Sequence, residues 1–395
     1  MDSSILIIVL SLSVLVSYAF DLFSSRFKTP SVLLLLLLGM LIRQATDYFG
    51  VQVPYVDTIL PTLGTLGLIL IVLEGGLDLE LHTDRLTIIR QTLLASLLAI
   101  IGGTLTMASM LYLLLNDSFY HCLLVALPFS IVSSTVTLQT VAQLTDGQRD
   151  FAVYESAFAS ILGVMAFNFL LLSKDSVLGA VWSFTRDTLV MAIISLGCCF
   201  LLLYLISRIN HRIKFLPIIS VLFLVYALAE INHLSSLLLI VIFGLFLNNT
   251  DLFVRGRLGQ VLKNDLFEKE LDQLKNLTAE GSFVVRTFFY LILGYAVVPR
   301  ELVEVDALVV SVLFVITIVG WRWATLRLIY QGPLVPLIWV APRGLITILL
   351  YLNIPKELRL VGFREGIPVL VIVLSSILVM AGVLGNKAVK NDNGL

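Results

Sequence analysis

The sequence predicts an all-α integral membrane protein with about thirteen transmembrane helices. Of its 395 residues, 58% are hydrophobic and only 13% are charged, whereas about a quarter of the residues are charged in an average soluble domain. A helix needs about 20 apolar residues to cross the hydrocarbon layer, where it satisfies its own backbone polar groups. The composition therefore excludes a water-soluble enzyme. The formal net charge of -1 and the dispersed basic residues exclude nucleic-acid binding.

Thirteen apolar segments are candidates for these spans. They are residues 5–23, 30–48, 59–77, 92–115, 119–144, 151–172, 188–206, 215–228, 234–247, 283–298, 307–320, 333–352 and 367–384. The eighth and ninth are short, and by length alone they fit either two spans or one bent span. Thirteen spans with the N-terminus outside place most of the 26 Lys and Arg residues on the inner side, as the positive-inside rule requires. We therefore expect a multi-pass protein of the cell (inner) membrane, embedded in the lipid bilayer, with a cytoplasmic C-terminus.

The spans divide into two six-helix halves around one odd helix. We expect a first repeat at residues 1–173, a linker helix at 174–207 and a second repeat at 208–395. The single linker helix would invert the second repeat relative to the first. A segment near residues 250–280 carries charges of both signs and apolar residues at near-helical spacing, which indicates an amphipathic cytoplasmic linker.

Two of the spans are interrupted by residues that break helices. Span five contains Pro128, followed by the hydroxyl run Ser133, Ser134 and Thr135, and span twelve contains Pro342 before a glycine. These are the fifth helices of the two halves, and interruptions at corresponding positions indicate a transporter site at the centre of the membrane. Proline is also common in membrane helices generally, which leaves a purely structural role open. We predict that the two broken helices cross at the centre.

Ionisable side chains within the spans are the second signal, because each is costly in the bilayer. Glu155 and Arg343 both lie near the predicted crossing, and we expect them to form an ion pair. Ser156 and Ser160 share one face of their helix, about 100° away from Glu155. Hydroxyl and carboxylate oxygens, including those of Ser133, suit a hard monovalent cation. Any single hydroxyl also fits a helix-packing role.

Glu74 is a further intramembrane acid, followed by two glycines near the end of span three. It fits two positions, one lining a water-filled approach to the ions and one at a solvated helix end. Arg286 lies four residues into span ten, and we interpret it as reaching towards the membrane surface.

The chain resembles the monovalent cation/proton antiporters, specifically the sodium/proton exchanger branch. The resemblance covers nearly the whole chain and is carried by residues 73–79 (LEGGLDL), 133–138 (SSTVTL), 155–156 (ES), 283–294 (FVVRTFFYLILG) and 339–345 (WVAPRGL). It implies a homodimer with a mobile core that works by alternating access, with no cofactor and no metal beyond the transported cation. It also implies that Glu155 pairs with Arg343, and that Ser133 and Ser156 help to ligate the ion.

One departure from the family pattern concerns the proton. The family has an Asn-Asp pair four and five residues after the glutamate, where this chain has Ala159 and Ser160. In the family, cation and proton compete for that aspartate, whereas serine does not titrate near neutral pH. The remaining candidate proton carriers are Glu74 and Glu155.

The sequence thus favours exchange of sodium, potassium or lithium for protons. The alternative is an antiporter-fold protein without obligatory proton coupling, acting as an ion sensor, regulator or uncoupled carrier.

Overall fold

The computed structural model describes residues 3–27, 30–50, 56–81, 85–141, 144–173, 177–208, 215–232, 236–249 and 265–392. Within these ranges the chain forms α-helices, two short 3-10 turns and no strand. The α-helices are α1 (Ser3–Phe27), α2 (Ser31–Tyr48), α3 (Val56–Asp78), α4 (Leu86–Leu115), α5 (Phe119–Ser130), α6 (Ser134–Thr140), α7 (Asp146–Leu172), α8 (Val177–Arg208), α9 (Phe215–Ile231), α10 (Ser236–Asn248), α11 (Asp265–Ala296), α12 (Pro299–Leu302), α13 (Val305–Ile329), α14 (Leu345–Leu352) and α15 (Gly366–Asp392).

The described helices have the length and surface of membrane spans. Nine helical segments are long and apolar enough to cross a bilayer, and three shorter apolar helices accompany them in the same ranges. Large apolar side chains such as Leu113 on α4, Ile193 on α8 and Ile316 on α13 are exposed on the outside of the bundle, where lipid would cover them. The all-α membrane class is therefore confirmed. Each predicted span overlaps a helix or a broken helix, and the exact count of thirteen stays a prediction.

The helices pack in two groups. α1, α2, α3, α8, α9, α10 and α11 form the group that we call the scaffold, and α4, α5, α6, α7, α13, α14 and α15 form the crossing group. The two groups meet where α7 packs against α3, α8 and α10 and where α14 packs against α3. Each group draws helices from both halves of the chain, and the inverted relation of the predicted repeats stays a prediction.

Glycine pairs bring scaffold helices into backbone contact. A Cβ atom at Gly39 on α2 would lie 2.3 Å from the carbonyl oxygen of Leu291 and 2.9 Å from the Cα of Gly294, both on α11. Gly76 on α3 and Gly244 on α10 are similarly close, because a Cβ on either would lie 3.0–3.1 Å from the Cα of the other. Small residues allow such close packing between membrane helices, and larger residues at these positions would force the helices apart.

Two helices begin or end differently from the sequence prediction. The predicted span eleven stops at residue 320, but α13 continues to Ile329 and includes Arg322 as a buried residue. α11 begins at Asp265 and continues without interruption into the predicted span ten. The second part of the predicted surface linker is therefore the first part of a long helix. Residues 250–264 of that predicted linker lie outside the described residues.

The predicted helix breaks are present at both positions. α5 ends at Ser130, the next three residues are not helical, and α6 begins at Ser134. In the second half, a 3-10 turn at Leu337–Trp339 is followed by non-helical residues up to Gly344, after which α14 begins.

Candidate ion-binding site

The two broken helices meet at their breaks. The backbone N–H of Ser133 donates a hydrogen bond to the carbonyl oxygen of Pro342, with N and O 2.9 Å apart. Gly344 lies against the same serine, because a Cβ atom built on it would come within 2.3 Å of the Ser133 Oγ. The predicted crossing is confirmed, and it requires a residue without a side chain at position 344.

A buried ion pair lies beside the crossing. Nη1 of Arg322 on α13 contacts Oε2 of Glu155 on α7, and these side chains are only 4% and 2% exposed. Nε of Arg322 also donates to the carbonyl oxygen of Leu337, 3.1 Å away, in the 3-10 turn of the second broken helix. The pair therefore joins α7, α13 and the broken segment through charged hydrogen bonds, which are stronger than neutral ones.

The partner of Glu155 differs from the prediction, which paired it with Arg343. Arg322 occupies that place because α13 extends past the predicted span end and carries this arginine into the bundle. Trp321 fixes the position of α13 against α4. Its indole Nε1 donates to Thr106 Oγ1 at 2.9 Å, and its ring lies so close to Gly102 that a Cβ there would collide with it.

Arg343 is buried next to this pair without sharing it. The side chain is in the buried class, 4% exposed, and its Nε and Nη1 atoms have no hydrogen-bond acceptor. Its backbone N–H donates to the hydroxyl oxygen of Ser375 on α15, 3.1 Å away, which anchors the chain between the break and α14. A small cavity of about 10 Å³ is lined by Arg343 together with Glu155, Arg322 and Ser130.

Of the predicted hydroxyl ligands, Ser133, Ser134 and Thr135 lie at the first break, and Ser160 Oγ lies 3.5 Å from the carbonyl oxygen of Val132 within it. Ser156 Oγ donates to the carbonyl oxygen of Val153, and Ser160 Oγ donates to that of Ser156, 3.0 Å away. Each hydroxyl hydrogen is used within α7, but the oxygen lone pairs remain available to a cation. Ser134 and Thr135 form the half-buried first turn of α6 directly after the break.

Glu74 lies on the scaffold helix α3 and does not line the cavity beside Glu155. The charges that act on its carboxylate come from Arg286 on α11 and from Asp78, and Ser282 on α11 is its polar neighbour. Glu74 Oε2, Arg286 Nη1 and Ser282 Oγ are buried, and none of these atoms has a hydrogen-bond partner. Arg286 therefore faces the glutamate rather than only the membrane surface.

Sequence reasoning missed Arg322 and the hydroxyls that support the crossing. Ser130 at the end of α5 accepts a hydrogen bond from Thr104 on α4, with the two oxygens 2.9 Å apart. The signal that would have found Arg322 is the return of apolar residues after it, at Leu326 and Ile329, because a run that resumes within one helical turn continues the same helix.

The comparisons agree with this geometry. Residues 10–388 match the family described as sodium/hydrogen exchanger, transmembrane. A solved structure of the sodium proton antiporter MjNhaP1 from Methanocaldococcus jannaschii at pH 8 is similar, with a TM-score of 0.71, 16% identity, and coverage of 97% of this chain and 96% of that chain. A second structure of MjNhaP1, from electron microscopy, gives a TM-score of 0.68, 15% identity and coverage of 97% and 95%.

A sequence search of curated proteins found no significant match. The structural likeness shows a shared fold, and the sequence match extends over almost all of the chain. Taken with two broken helices that cross beside a buried ion pair, that match places this chain in the sodium/hydrogen exchanger family of membrane transporters.

Proposed function

We propose that this protein exchanges a monovalent cation, sodium, potassium or lithium, for protons by alternating access. Membership of the sodium/hydrogen exchanger family supports cation/proton antiport. The observation that carries the proposal is the hydrogen bond between Ser133 and Pro342, because it joins two interrupted helices at their breaks. Broken helices of this kind present free carbonyls and helix ends to a transported ion.

The cation would be held by oxygen atoms around the first break. We assign this role to the hydroxyls of Ser133, Ser134 and Thr135 and to those of Ser156 and Ser160 on the facing helix α7. Oxygen ligands match the preference of hard cations. Their position beside the non-helical backbone supports the assignment, since carbonyl oxygens there can complete the ligand set.

The proton would be carried by Glu74 rather than by Glu155. The carboxylate of Glu155 is held by Arg322 at hydrogen-bonding distance in a buried position, so that carboxylate is already committed to a structural ion pair. One oxygen of Glu74 is buried without a hydrogen-bond partner. A carboxylate in such a setting can gain a proton without breaking an existing ion pair.

Proteoliposomes loaded with a pH-sensitive dye test the function. Addition of sodium or potassium outside should alkalinise the lumen of vesicles that contain the wild-type protein. Glu74→Gln should abolish this response, whereas Glu357→Gln, a change at an exposed glutamate, should leave it intact. A normal response in Glu74→Gln would refute the assignment of the proton carrier. Absence of any response to alkali cations between pH 5 and 9 would refute exchange itself.

The alternative function is an ion sensor, regulator or uncoupled carrier with the same fold. It is favoured by Ala159 and Ser160, which are buried on α7 and carry no titratable group. Ser160→Asp distinguishes the two functions, because a carboxylate at this position should create or increase cation-dependent proton movement. A well-folded but inert Ser160→Asp protein would support the alternative.

Assembly and orientation are part of the same proposal. We propose a homodimer in the cell membrane, with the N-terminus outside and the C-terminus in the cytoplasm. Native mass spectrometry of the detergent-purified protein tests the dimer. Labelling of a cysteine placed at Asp117, in the connection between α4 and α5, tests the orientation, because this connection should react from outside intact cells.

A further inference from the structure

A second, larger cavity lies between the scaffold and the crossing group, at the end of the bundle where α11 and α14 end. Its volume is about 140 Å³. The scaffold side is lined by Leu60 of α3 and Leu293 of α11, and the crossing side by Ile348 of α14 and Val369 of α15. This cavity shares no lining residue with the small one beside Glu155. In the proposed orientation it faces the outside of the membrane.

The charged groups of this cavity leave an excess of negative charge. Glu301 and Glu365 line it, and neither carboxylate forms a salt bridge within the described part of the chain. Arg359 also lines it, but its Nε and Nη2 groups donate to the carbonyl oxygens of Ile354 and Leu352, 3.0 and 2.8 Å away. The guanidinium is therefore held at the end of α14, and the two carboxylates are free to attract a cation.

One turn of α14 separates the cavity from the crossing of the broken helices. Ile348 lines the cavity, whereas Gly344, four residues earlier, packs against Ser133 at the crossing. Four helical residues rise by about 6 Å along the helix axis. Along α14, the cavity therefore ends about one helical turn short of the candidate ion-binding site.

An apolar layer fills that turn. Leu345 and Leu349 of α14 are 3% and 1% exposed. Both lie against Gly67 of α3, because a Cβ atom built there would be 3.7 Å from Leu345 Cδ2 and 3.8 Å from Leu349 Cδ1. A Cβ atom at Gly64 would be 3.0 Å from Leu349 Cδ2 and 3.5 Å from the ring of Phe289 on α11. The two leucines thus close the path against a surface of α3 that carries no side chains.

We propose that the cavity is the outer vestibule of the transport path and that Leu345 and Leu349 are its gate. This inference rests on the proposed exchange function and assigns the route by which a cation reaches the site from outside. Glu301 and Glu365 attract a monovalent cation into the vestibule, which has room for an ion with several waters. The leucines exclude the hydrated ion while the layer is closed, because apolar constrictions gate by dewetting.

The charge of the vestibule can be measured on the purified protein without any ion exchange. Val298 lines the cavity and is 36% exposed. A cysteine at this position, with the three native cysteines replaced by alanine, should react with water-soluble thiosulfonates. Relative to a free thiol, the cationic reagent should react about fivefold faster than the anionic one, because the local potential concentrates cations.

Removal of the two carboxylates should remove most of this preference. The double substitution Glu301→Gln with Glu365→Gln should lower it about threefold, because the attraction from the two carboxylates is lost. Glu357→Gln is the matched control, since this exposed glutamate lies in the same connection between α14 and α15 but does not line the cavity. It should leave the preference unchanged.

Removal of the gate should uncouple the two ions. In proteoliposomes, Leu349→Ala should let sodium pass without protons, so that the ratio of sodium uptake to lumenal alkalinisation rises several-fold over wild type. Leu350→Ala truncates the next leucine of α14, which is also buried, and should keep the wild-type ratio.

The two assays separate failure of this inference from failure of the proposed function. Equal rates for the two reagents, a preference that survives the double substitution, or the same sodium-to-proton ratio in Leu349→Ala and Leu350→Ala would each overturn the inference. Absence of exchange in the wild-type protein, together with a cationic preference that depends on the two glutamates, would refute the proposed function and support only the cation-attracting cavity.

Discussion

The two buried arginines should differ sharply in what their loss does to stability. Arg322 forms the ion pair with Glu155 and a 3.1 Å hydrogen bond to Leu337, so Arg322→Gln leaves a carboxylate that is 2% exposed without its partner. Breaking one side of a buried pair costs about 3–5 kcal/mol. We therefore expect a loss of about 4 kcal/mol, which is about a thousandfold in the unfolding equilibrium.

Arg343→Gln should cost much less. Two of its side-chain nitrogens have no protein partner, so its removal breaks no ion pair within the chain and relieves the repulsion from Arg322. We expect a change within about 1.5 kcal/mol, in the range of ordinary substitutions. In a double-mutant cycle, Glu155→Gln with Arg322→Gln should show a coupling energy of about 2–3 kcal/mol, near the upper end for residues in contact.

Reversible unfolding by sodium dodecyl sulfate from mild detergent micelles, followed by tryptophan fluorescence, measures these free energies. All variants should be compared in the same detergent, at one pH and one salt concentration. An Arg343→Gln protein that loses as much stability as Arg322→Gln would contradict the pairing. So would a coupling between Glu155 and Arg322 below about 0.5 kcal/mol, the lower end for interacting residues.

Two further predictions concern the crossing and an acid outside the membrane spans. Gly344→Ala places a Cβ 2.3 Å from Ser133 Oγ. This overpacking should lower the free energy of unfolding by about 1–3 kcal/mol and abolish transport. Gly197→Ala, whose added Cβ would have no atom within 4 Å, is the matched control in the same unfolding and proteoliposome assays. The backbone N–H of Ser118 holds the pKa of Asp117 below its ordinary value of 3.8, so Asp117 contributes stability that is complete above that value and is lost as the pH falls through the lowered pKa. Thermal unfolding from pH 7 to about pH 3 should therefore show a constant difference between wild type and Asp117→Asn above about pH 4 and a shrinking difference below it, and a difference that grows on acidification would contradict this sign.

Local sequence patterns predict the helices and their breaks but not the partner of a buried charge. The apolar runs mark the spans because lipid imposes a length on each one. The breaks follow from Pro128 and Pro342 and from the residues beside them, and the hydrogen bond between Ser133 and Pro342 agrees with the predicted crossing. The spans and the breaks are predictable because each depends on residues within one or two helical turns of each other.

The ion pair depends on contacts between residues that are far apart in the sequence. Arg322 lies two residues beyond the predicted end of span eleven at residue 320, although α13 continues through it. The choice between Arg322 and Arg343 is then decided by the fit of Trp321 against Gly102 and by the register of α13 on α4. A single sequence carries no direct record of such packing. Only the structure shows that two arginines, Arg322 and Arg343, are buried beside one acid, Glu155.

The glycine pairs of the scaffold limit which helices can slide past one another. Gly39 with Gly294, between α2 and α11, and Gly76 with Gly244, between α3 and α10, put main chain against main chain. No side chains that could change rotamer lie between the helices at these two contacts. We therefore expect α2 to move together with α11, and α3 together with α10. If transport follows the proposed alternating access, we expect the displacement at the interface between the two groups, where α7 packs against α3, α8 and α10 and α14 packs against α3. The hydrogen bond from the hydroxyl of Tyr154 on α7 to the carbonyl oxygen of Glu80 crosses that interface, and under the proposed mechanism we expect it to break in each transport cycle.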